Sequence, residues 1–304
     1  MLLERYRQAL VFKSLDVEEV VDRYFHRPLA AMLVALLIPL PISSNQVTLG
    51  SLIVGWVGSF LLFRAFFVGD PGPSMLWLGA GFFLFLAVIL DCADGQLARA
   101  RGGGSRVGRI LDGFVDVLVL FPAYVILGVG IHHLYGATWL TVAAVAGFST
   151  WIHCIVYDKL KNLYLASTMV EAGGAEGTET LESVRQEQAE ARANGSPLER
   201  FLLWVYVGYL QVQERFASGS TEKQAHELTQ DQIESFRGEH RGTMRLASTL
   251  GLGTHMLLIY SAIAAMAFDL RAVLVLQVVL ATIFNVVMVV VLWRARRFSD
   301  PQEG

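Results

Sequence analysis

The sequence has little charge, few cysteines and no basic excess, and each shortage excludes a class of protein. Only 17% of the 304 residues are charged and 54% are hydrophobic, and the mean hydropathy of +0.49 excludes an ordinary soluble enzyme. The net charge of −3 predicts no basic surface for binding nucleic acid. Cys92 and Cys154 lie in apolar stretches and predict buried thiols, not disulfides or a thiolate metal site.

Long hydrophobic runs dominate the chain instead. A bilayer core of roughly 30 Å needs about 20 mostly apolar residues in a helix, and six such runs occur. They are Val47 to Val68, Ser74 to Leu90 with a polar extension, Ile110 to Ile131, Ala137 to Val156, Leu246 to Phe268, and Ala272 to Trp293. The sequence therefore predicts an all-α integral membrane protein with six transmembrane helices.

The N-terminal segment, residues 1–44, is predicted to be cytoplasmic and interfacial. Its first 28 residues carry charge throughout and lack the apolar run and cleavage site of a signal peptide, so we expect them to remain in the mature protein. Leu29 to Ile42 is apolar but too short to span, and Pro39 and Pro41 interrupt helical hydrogen bonding there. We expect an interfacial or a re-entrant helix, and the sequence leaves both open.

The basic residues predict the orientation of the spans, because lysine and arginine are retained on the cytoplasmic side. They occur in the N-terminal segment, in the loop after the second span and in the C-terminal tail, whereas the opposite loops contain one, Arg271. Both termini are therefore expected to face the cytoplasm. The predicted segments are the N-terminal residues 1–44, spans one to four in 45–166, a soluble insert in 167–243, and the last two spans with the tail in 244–304.

The insert is polar and contains more acidic than basic residues, which predicts a soluble, helical, cytoplasmic segment. Glycine-containing stretches at 171–177 and 193–197 bracket one expected surface helix, and Thr221 with Gln224 predicts a capping box at the start of another. The apolar run at 201–212 is too short to span, so we expect it to pack on the membrane surface or on the transmembrane helices.

Four aspartates lie where the second span ends and the third begins. Each would cost roughly 2.5 to 3.5 kcal/mol at the membrane centre and less toward the interface, so their presence needs an explanation. Asp91 and Asp94 share a helix face at i, i+3, as do Asp112 and Asp116 at i, i+4. A short loop joins the two helices, so the four carboxylates can converge around a cation. Oxygen ligands alone indicate a hard ion such as Mg²⁺ or Mn²⁺.

Small residues surround these aspartates and leave room for a ligand. Gly95 and Ala98 follow Asp94, Gly108 lies one turn before Asp112, and Arg99 is placed to meet an anion. Small residues also let transmembrane helices pack closely, and arginines at helix ends also set topology, so this alternative stays open.

Together these residues resemble the signature of the CDP-alcohol phosphotransferases, D-x2-D-G-x2-A-R-x8-G-x3-D-x3-D. Every fixed position is matched, and the matching residues are Asp91, Asp94, Gly95, Ala98, Arg99, Gly108, Asp112 and Asp116. The six-span layout and SNQVT at 44–48 resemble the family as well, with Ser44 where a proline is common. The insert lies outside the common family core.

The resemblance implies transfer of a phosphatidyl group from a CDP-linked lipid, usually CDP-diacylglycerol, to a small alcohol, with CMP leaving. It implies that Asp91, Asp94 and Asp112 hold Mg²⁺ or Mn²⁺, and that Asp116 shares this site and acts as general base. The residues expected around the CDP moiety are Asn45, Thr48, Gly95, Ala98, Arg99 and Gly108. The lipid bilayer is an expected partner, as is a second copy of the chain, because family members often dimerise.

The sequence does not identify the acceptor alcohol. A phosphorylated acceptor would need further cations, for which the candidates are Arg106, Arg109, Lys159 and Lys161. Family members that use such acceptors commonly have a basic residue after the fourth aspartate, whereas Val117 stands there, which disfavours this class.

Two other functions remain as alternatives. A divalent-cation transporter or channel would need ionisable residues near the midplane of several spans, whereas these carboxylates cluster at one end of two helices. A catalytically silent scaffold that binds through its insert is disfavoured by the intact aspartates.

Overall fold

In a computed structural model of the protein, residues 2–10, 15–69, 74–103, 106–168, 181–194, 196–216 and 230–296 are described. They form helices and connecting turns and contain no β-strand. The helices are α1 (Leu2–Ala9), α2 (Arg27–Leu37), α3 (Ser44–Phe67), α4 (Met75–Ala100), α5 (Arg106–Tyr135), α6 (Ala137–Thr168), α7 (Leu181–Asn194), α8 (Pro197–Phe216), α9 (Gln230–Ala247), α10 (Leu252–Ala265), α11 (Ala272–Ala281) and α12 (Ile283–Ala295). A π-helical turn, Asp22–His26, leads into α2.

Six helical segments are long and apolar enough to cross a membrane, which confirms the predicted all-α membrane fold. They are Ser44–Phe67, Met75–Ala100, Ile110–Tyr135, Ala137–Leu165, Ile233–Ala265 and Ala272–Ala295. Several extend beyond the predicted apolar runs because polar residues continue the helix, as at the end of α4.

The chain divides into two compact units. The first comprises residues 1–13, 19–152 and 252–285, and the second comprises residues 14–18, 153–251 and 286–304. These units are not the four segments expected from the sequence, whose boundaries stay a prediction.

Glycines bring the helices of the first unit close together. A Cβ atom at Gly58 of α3 would lie 3.0 Å from the Leu84 side chain of α4, and one at Gly81 of α4 would lie 2.7 Å from the Tyr260 carbonyl oxygen of α10. The hydrophobic effect does not drive helices together in lipid. Small residues instead let the helix backbones approach closely, so that van der Waals packing holds the helices together. The aromatic pair Phe66 and Trp77, with ring centroids 4.8 Å apart, lies in the same apolar core.

Helix α2 packs a small-residue stripe against α4. Ala30, Ala31 and Val34 are fully buried in an apolar cluster that includes Ala93 and Leu97 of α4. The helix ends at Leu37, before Pro39, as expected because proline lacks the N–H that a helix requires. Whether this helix is interfacial or re-entrant stays a prediction.

In the second unit, Asp16 joins α6 to α9. Its carboxylate pairs with Arg241 at 2.9 Å and Arg237 at 3.7 Å, and it accepts a hydrogen bond from the Tyr164 hydroxyl at 3.3 Å. The Tyr157 hydroxyl donates to the carbonyl of the neighbouring Val17. These contacts fix Asp16 and Val17 between two helices.

The expected surface helix of the insert is α7, which packs with α8. Helix α8 contains the apolar run at 201–212 and is longer than that run, because polar residues extend both of its ends. The stretch 171–177 and the predicted capping box at Thr221 lie outside the described residues. Cys92 and Cys154 are half-buried and do not form a disulfide.

Candidate metal centre

The C-terminal end of α4 and the first turns of α5 bring the predicted aspartates together. Asp91, Asp94 and Asp112 each offer one carboxylate oxygen, and these oxygens all lie within 4.8 Å of one another. The helical spacings i, i+3 in α4 and i, i+4 in α5 place each pair on one face, so the two faces meet. This set of three is the acidic cluster that could hold a metal ion within the described part of the chain.

The fourth aspartate of the motif lies in the same cluster. The Asp91 carboxyl group is within hydrogen-bonding reach of both Asp112 and Asp116. Two ionised carboxylates cannot hydrogen-bond to each other, and their repulsion is strong where water is scarce. The arrangement therefore requires a proton or a cation between the carboxylates.

Thr48 of α3 fixes the most buried of these carboxylates. Its hydroxyl donates to Asp94 Oδ2 at 2.5 Å and also contacts the Ser44 carbonyl oxygen at 3.1 Å. Thr48 and Asp94 are 2% and 3% exposed. The hydroxyl that was expected to approach the CDP moiety is thus engaged with a candidate metal ligand in this structure.

Two oxygens of the cluster fit a metal centre. The Oδ1 atoms of Asp91 and Asp112 are shielded from solvent, and with all the carboxyl groups ionised neither accepts a hydrogen bond from a donor group among the described residues. Burying a charged oxygen without a partner is costly, and a coordinated cation would remove that cost. The donors are all oxygens, which suits a hard divalent cation.

Arg99 and Gly95 form one local unit beside the carboxylates. A Cβ atom at Gly95 would lie 3.4 Å from Arg99 Nη1, so the glycine leaves space for the guanidinium group. The Arg99 charge also acts on Asp112. This places a cation next to the cluster, where it can meet an anionic ligand.

The remaining predicted site residues lie on α3, α4, α5 and α6. Ala98 and Gly108 are half-buried, and Asn45 is exposed in the first turn of α3. Arg106 and Arg109 lie at the start of α5, and their side chains are outside the described residues. Lys159 and Lys161 belong to the second unit, where Lys161 Nζ lies 5.6 Å from the centre of the Tyr157 ring.

The sequence analysis missed the local structures that position the site. Ser43 and Gln46 form a capping box at the start of α3, with the Gln46 amide donating to Ser43 Oγ at 3.2 Å and the Ser43 amide donating to Gln46 Oε1 at 2.8 Å. The S-x-x-Q pattern at 43–46 is a recognisable signal for such a box. Gly102 and Gly103 end α4 with positive φ values of 99° and 109°.

The geometry defines a helical membrane protein with a carboxylate centre at helix ends, and a comparison with protein families specifies the class further. The model of the CDP-alcohol phosphatidyltransferase family matches residues 41–217. The chain therefore belongs to the CDP-alcohol phosphatidyltransferase family, whose members are transferases of substituted phosphate groups. The match extends beyond the fourth span and includes α7 and α8 of the insert. No curated protein and no solved structure matches the chain.

Proposed function

We propose that this protein transfers the phosphatidyl group of a CDP-linked lipid, CDP-diacylglycerol in the simplest case, to the hydroxyl of a small alcohol and releases CMP. The observation that carries the proposal is the convergence of Asp91, Asp94 and Asp112 at helix ends, with Asp116 beside Asp91, in a chain of this family. The reaction needs a centre that tolerates a polyanionic diphosphate, and such a cluster provides one once it holds a cation.

We assign the centre to Mg²⁺ or Mn²⁺, held by Asp91, Asp94 and Asp112, with Asp116 sharing the site. A bound cation would neutralise the negative charge of the donor's diphosphate and the charge that develops on the departing CMP. The Oδ1 atoms of Asp91 and Asp112, which when ionised accept no hydrogen bond from a donor group in the described part of the chain, support this assignment.

In the proposed step, the alcohol oxygen attacks the phosphorus atom next to the diacylglycerol, and the bond from that phosphorus to the bridging oxygen breaks. CMP leaves with the bridging oxygen. Asp116 accepts the proton of the alcohol, and because a carboxylate is a weak base for an alcohol, the proton transfer accompanies the attack.

The groups around the carboxylates would bind the rest of the donor. Arg99 would contact a phosphate oxygen of the CDP moiety, since its guanidinium lies beside Gly95 and acts on Asp112. The residues proposed to surround the CDP moiety together with Arg99 are Asn45, Thr48, Gly95, Ala98 and Gly108. The acyl chains would remain in the bilayer, while both termini and the site face the cytoplasm.

The acceptor is proposed only as a small alcohol. The candidates for contacting a phosphorylated acceptor are Arg106, Arg109, Lys159 and Lys161, and Val117 after the fourth aspartate favours an acceptor without a phosphate group. A panel of both kinds of alcohol is therefore the appropriate substrate set.

Release of CMP from CDP-diacylglycerol by the purified protein tests the proposal. We expect release with Mg²⁺ or Mn²⁺ and a suitable alcohol, and none with a chelator. Asp116→Asn should reduce the rate by about 100-fold or more, as expected for loss of a general base, whereas Asp231→Asn, at an exposed site in the first turn of α9, should match the parent. Absence of metal-dependent CMP release across the whole panel would reject the proposed function.

A further inference from the structure

Arg101 is the C-cap residue that directly follows α4, and its guanidinium is hydrogen-bonded to the backbone of another segment. Nη2 donates to the carbonyl oxygens of Leu40 at 2.7 Å, Leu37 at 3.1 Å and Ile38 at 3.3 Å, and Nη1 donates to that of Ile42. One side chain therefore contacts the end of α2 and three residues of the connection between α2 and α3, which we call the α2–α3 turn (residues 38–43).

The backbone of the α2–α3 turn offers carbonyl oxygens that no amide of the described residues serves. The Leu40 amide donates to the Leu37 carbonyl at 2.9 Å, but the carbonyls of Ile38, Leu40 and Ile42 accept from no backbone amide in the described part of the chain. Pro39 and Pro41 contribute to this shortage because proline has no amide hydrogen. The carbonyls at the end of α2 also carry the negative end of the helix dipole. A guanidinium supplies donors and a positive charge together.

The backbone of Arg101 is itself fixed by the way α4 ends. The Gly103 amide donates to the Ala98 carbonyl at 2.9 Å, and the Gly102 amide donates to the Arg99 carbonyl at 3.1 Å. This pair of bonds is the Schellman arrangement, which needs left-handed glycine after the helix. Arg101 thus projects from a defined position, as the C-cap residue of the helix that contains Asp94.

The α2–α3 turn leads directly into residues of the site. The capping box of Ser43 and Gln46 begins α3 at the end of the turn. Asn45 lies in the first turn of α3, and Thr48 donates to Asp94 one turn later. A displacement of the α2–α3 turn would therefore be transmitted to both residues through the rigid start of a helix.

We propose that Arg101 is a positioning residue for the CDP-binding site. By holding the α2–α3 turn against the end of α4, it sets the position of Asn45 and Thr48 relative to Asp94, and so the affinity for the CDP moiety. This inference rests on the proposed function. Lysine cannot replace the planar fork that reaches several carbonyls at once, so the effect requires arginine.

The test compares Arg101→Gln and Arg101→Lys with Arg7→Gln, which removes an exposed arginine of α1. We expect Arg101→Gln to raise the KM for CDP-diacylglycerol about 10-fold, in the range found when an outer contact of a site is lost, with a much smaller change in kcat. Arg101→Lys should recover only part of this loss, and Arg7→Gln should match the parent. A residue that only stabilised the fold would lower the amount of active protein and the apparent Tm without changing the KM.

Hydrogen exchange separates failure of this inference from failure of the proposed function. Amides of residues 40–48 should exchange faster in Arg101→Gln than in Arg7→Gln, whether or not a substrate is known. If the parent releases CMP, an unchanged KM in Arg101→Gln overturns the inference and leaves the proposed function standing. If the parent releases none, the proposed function and the assignment to CDP both fail, and unchanged exchange at residues 40–48 overturns the positioning role as well.

Discussion

The hydrogen bond between Thr48 and Asp94 is the clearest example of a single residue preparing the site. Both side chains are almost completely buried, so the 2.5 Å contact is protected from competing water. A hydroxyl that donates to one carboxylate oxygen orients the other for a ligand, which is the usual effect of an outer partner on a metal-binding group.

Replacing Thr48 with valine should therefore weaken metal binding without disturbing the shape of α3. We expect the Mg²⁺ concentration for half-maximal CMP release to rise by about 10- to 100-fold. Thr48→Ser, which keeps the hydroxyl, should stay near the parent. Equal metal requirements for Thr48→Val and the parent would mean that the hydrogen bond has no role at the site.

Glu19 gives the first unit a pH-dependent stability. Its carboxyl group accepts hydrogen bonds from the amides of Gly253 at 3.3 Å and Thr254 at 2.9 Å, at the start of α10. Burial, followed by the nearby charge of Asp22, raises the pKa of Glu19 from 4.5 to about 8. The folded protein therefore binds this proton more tightly than the unfolded chain does.

The sign of the effect follows from that difference. The stabilising contribution of the Glu19 proton is fully present below pH 4.5 and is lost as the pH rises through about 8. The apparent Tm in detergent should fall between pH 6 and pH 9, and Glu19→Gln should reduce the slope. An identical slope in the variant would show that another group causes the dependence.

For single residues, the sequence predicts which aspartates share a helix face, but it does not predict the hydrogen-bond partner of Thr48. Spacings of three and four residues determine which side chains share a helix face, so Asp91 with Asp94 and Asp112 with Asp116 could be paired from the sequence alone. The contact between Thr48 and Asp94 depends on how α3 crosses α4, and that crossing is set by packing across many residues.

At the scale of helices, α4 carries three residues of the site, Asp91, Asp94 and Arg99, and also packs closely against its neighbours in the first unit. It packs against α2, α3 and α10. Gly81 faces the α10 backbone, where a Cβ atom would lie 2.7 Å from the Tyr260 carbonyl oxygen and 2.9 Å from Ala264 Cβ. The separation of α4 and α10 is therefore determined by a residue without a side chain.

Gly81→Ala should separate these two helices and destabilise the protein by about 1–3 kcal/mol, the usual cost of overpacking. Gly128→Ala is the matched control, because a Cβ atom there would meet only Ala143 Cβ at 4.0 Å. Both changes raise helix propensity equally, so a lower apparent Tm for Gly81→Ala alone isolates the clash. Equal Tm values for the two variants would contradict the close packing.

The existence of the helices followed from hydrophobic runs, whereas their ends did not. Helices α4 and α8 both continue through polar residues that hydropathy excludes. Their ends depend on local hydrogen bonds, such as the Schellman arrangement at Gly102 and Gly103, which a window of hydrophobicity does not detect.

At the scale of the whole molecule, the distribution of arginine and lysine predicts which ends of the spans face the cytoplasm. Six spans would put both termini on the same side of the membrane. Single cysteines at residues 2 and 304 in a cysteine-free background should both be protected from an impermeant thiol reagent added outside cells. A cysteine at residue 71, between α3 and α4 in the sequence, should react. Opposite accessibility of the two termini would reject the even number of spans.

Product analysis tests the proposed transfer most directly. The purified protein in liposomes should convert CDP-diacylglycerol and its alcohol into equal amounts of CMP and the phosphatidyl alcohol, only when Mg²⁺ or Mn²⁺ is present, and Asp116→Asn should form neither product at the parent's rate. Formation of phosphatidic acid in place of the phosphatidyl alcohol, or no product with any acceptor tested, would contradict the proposed phosphatidyl transfer.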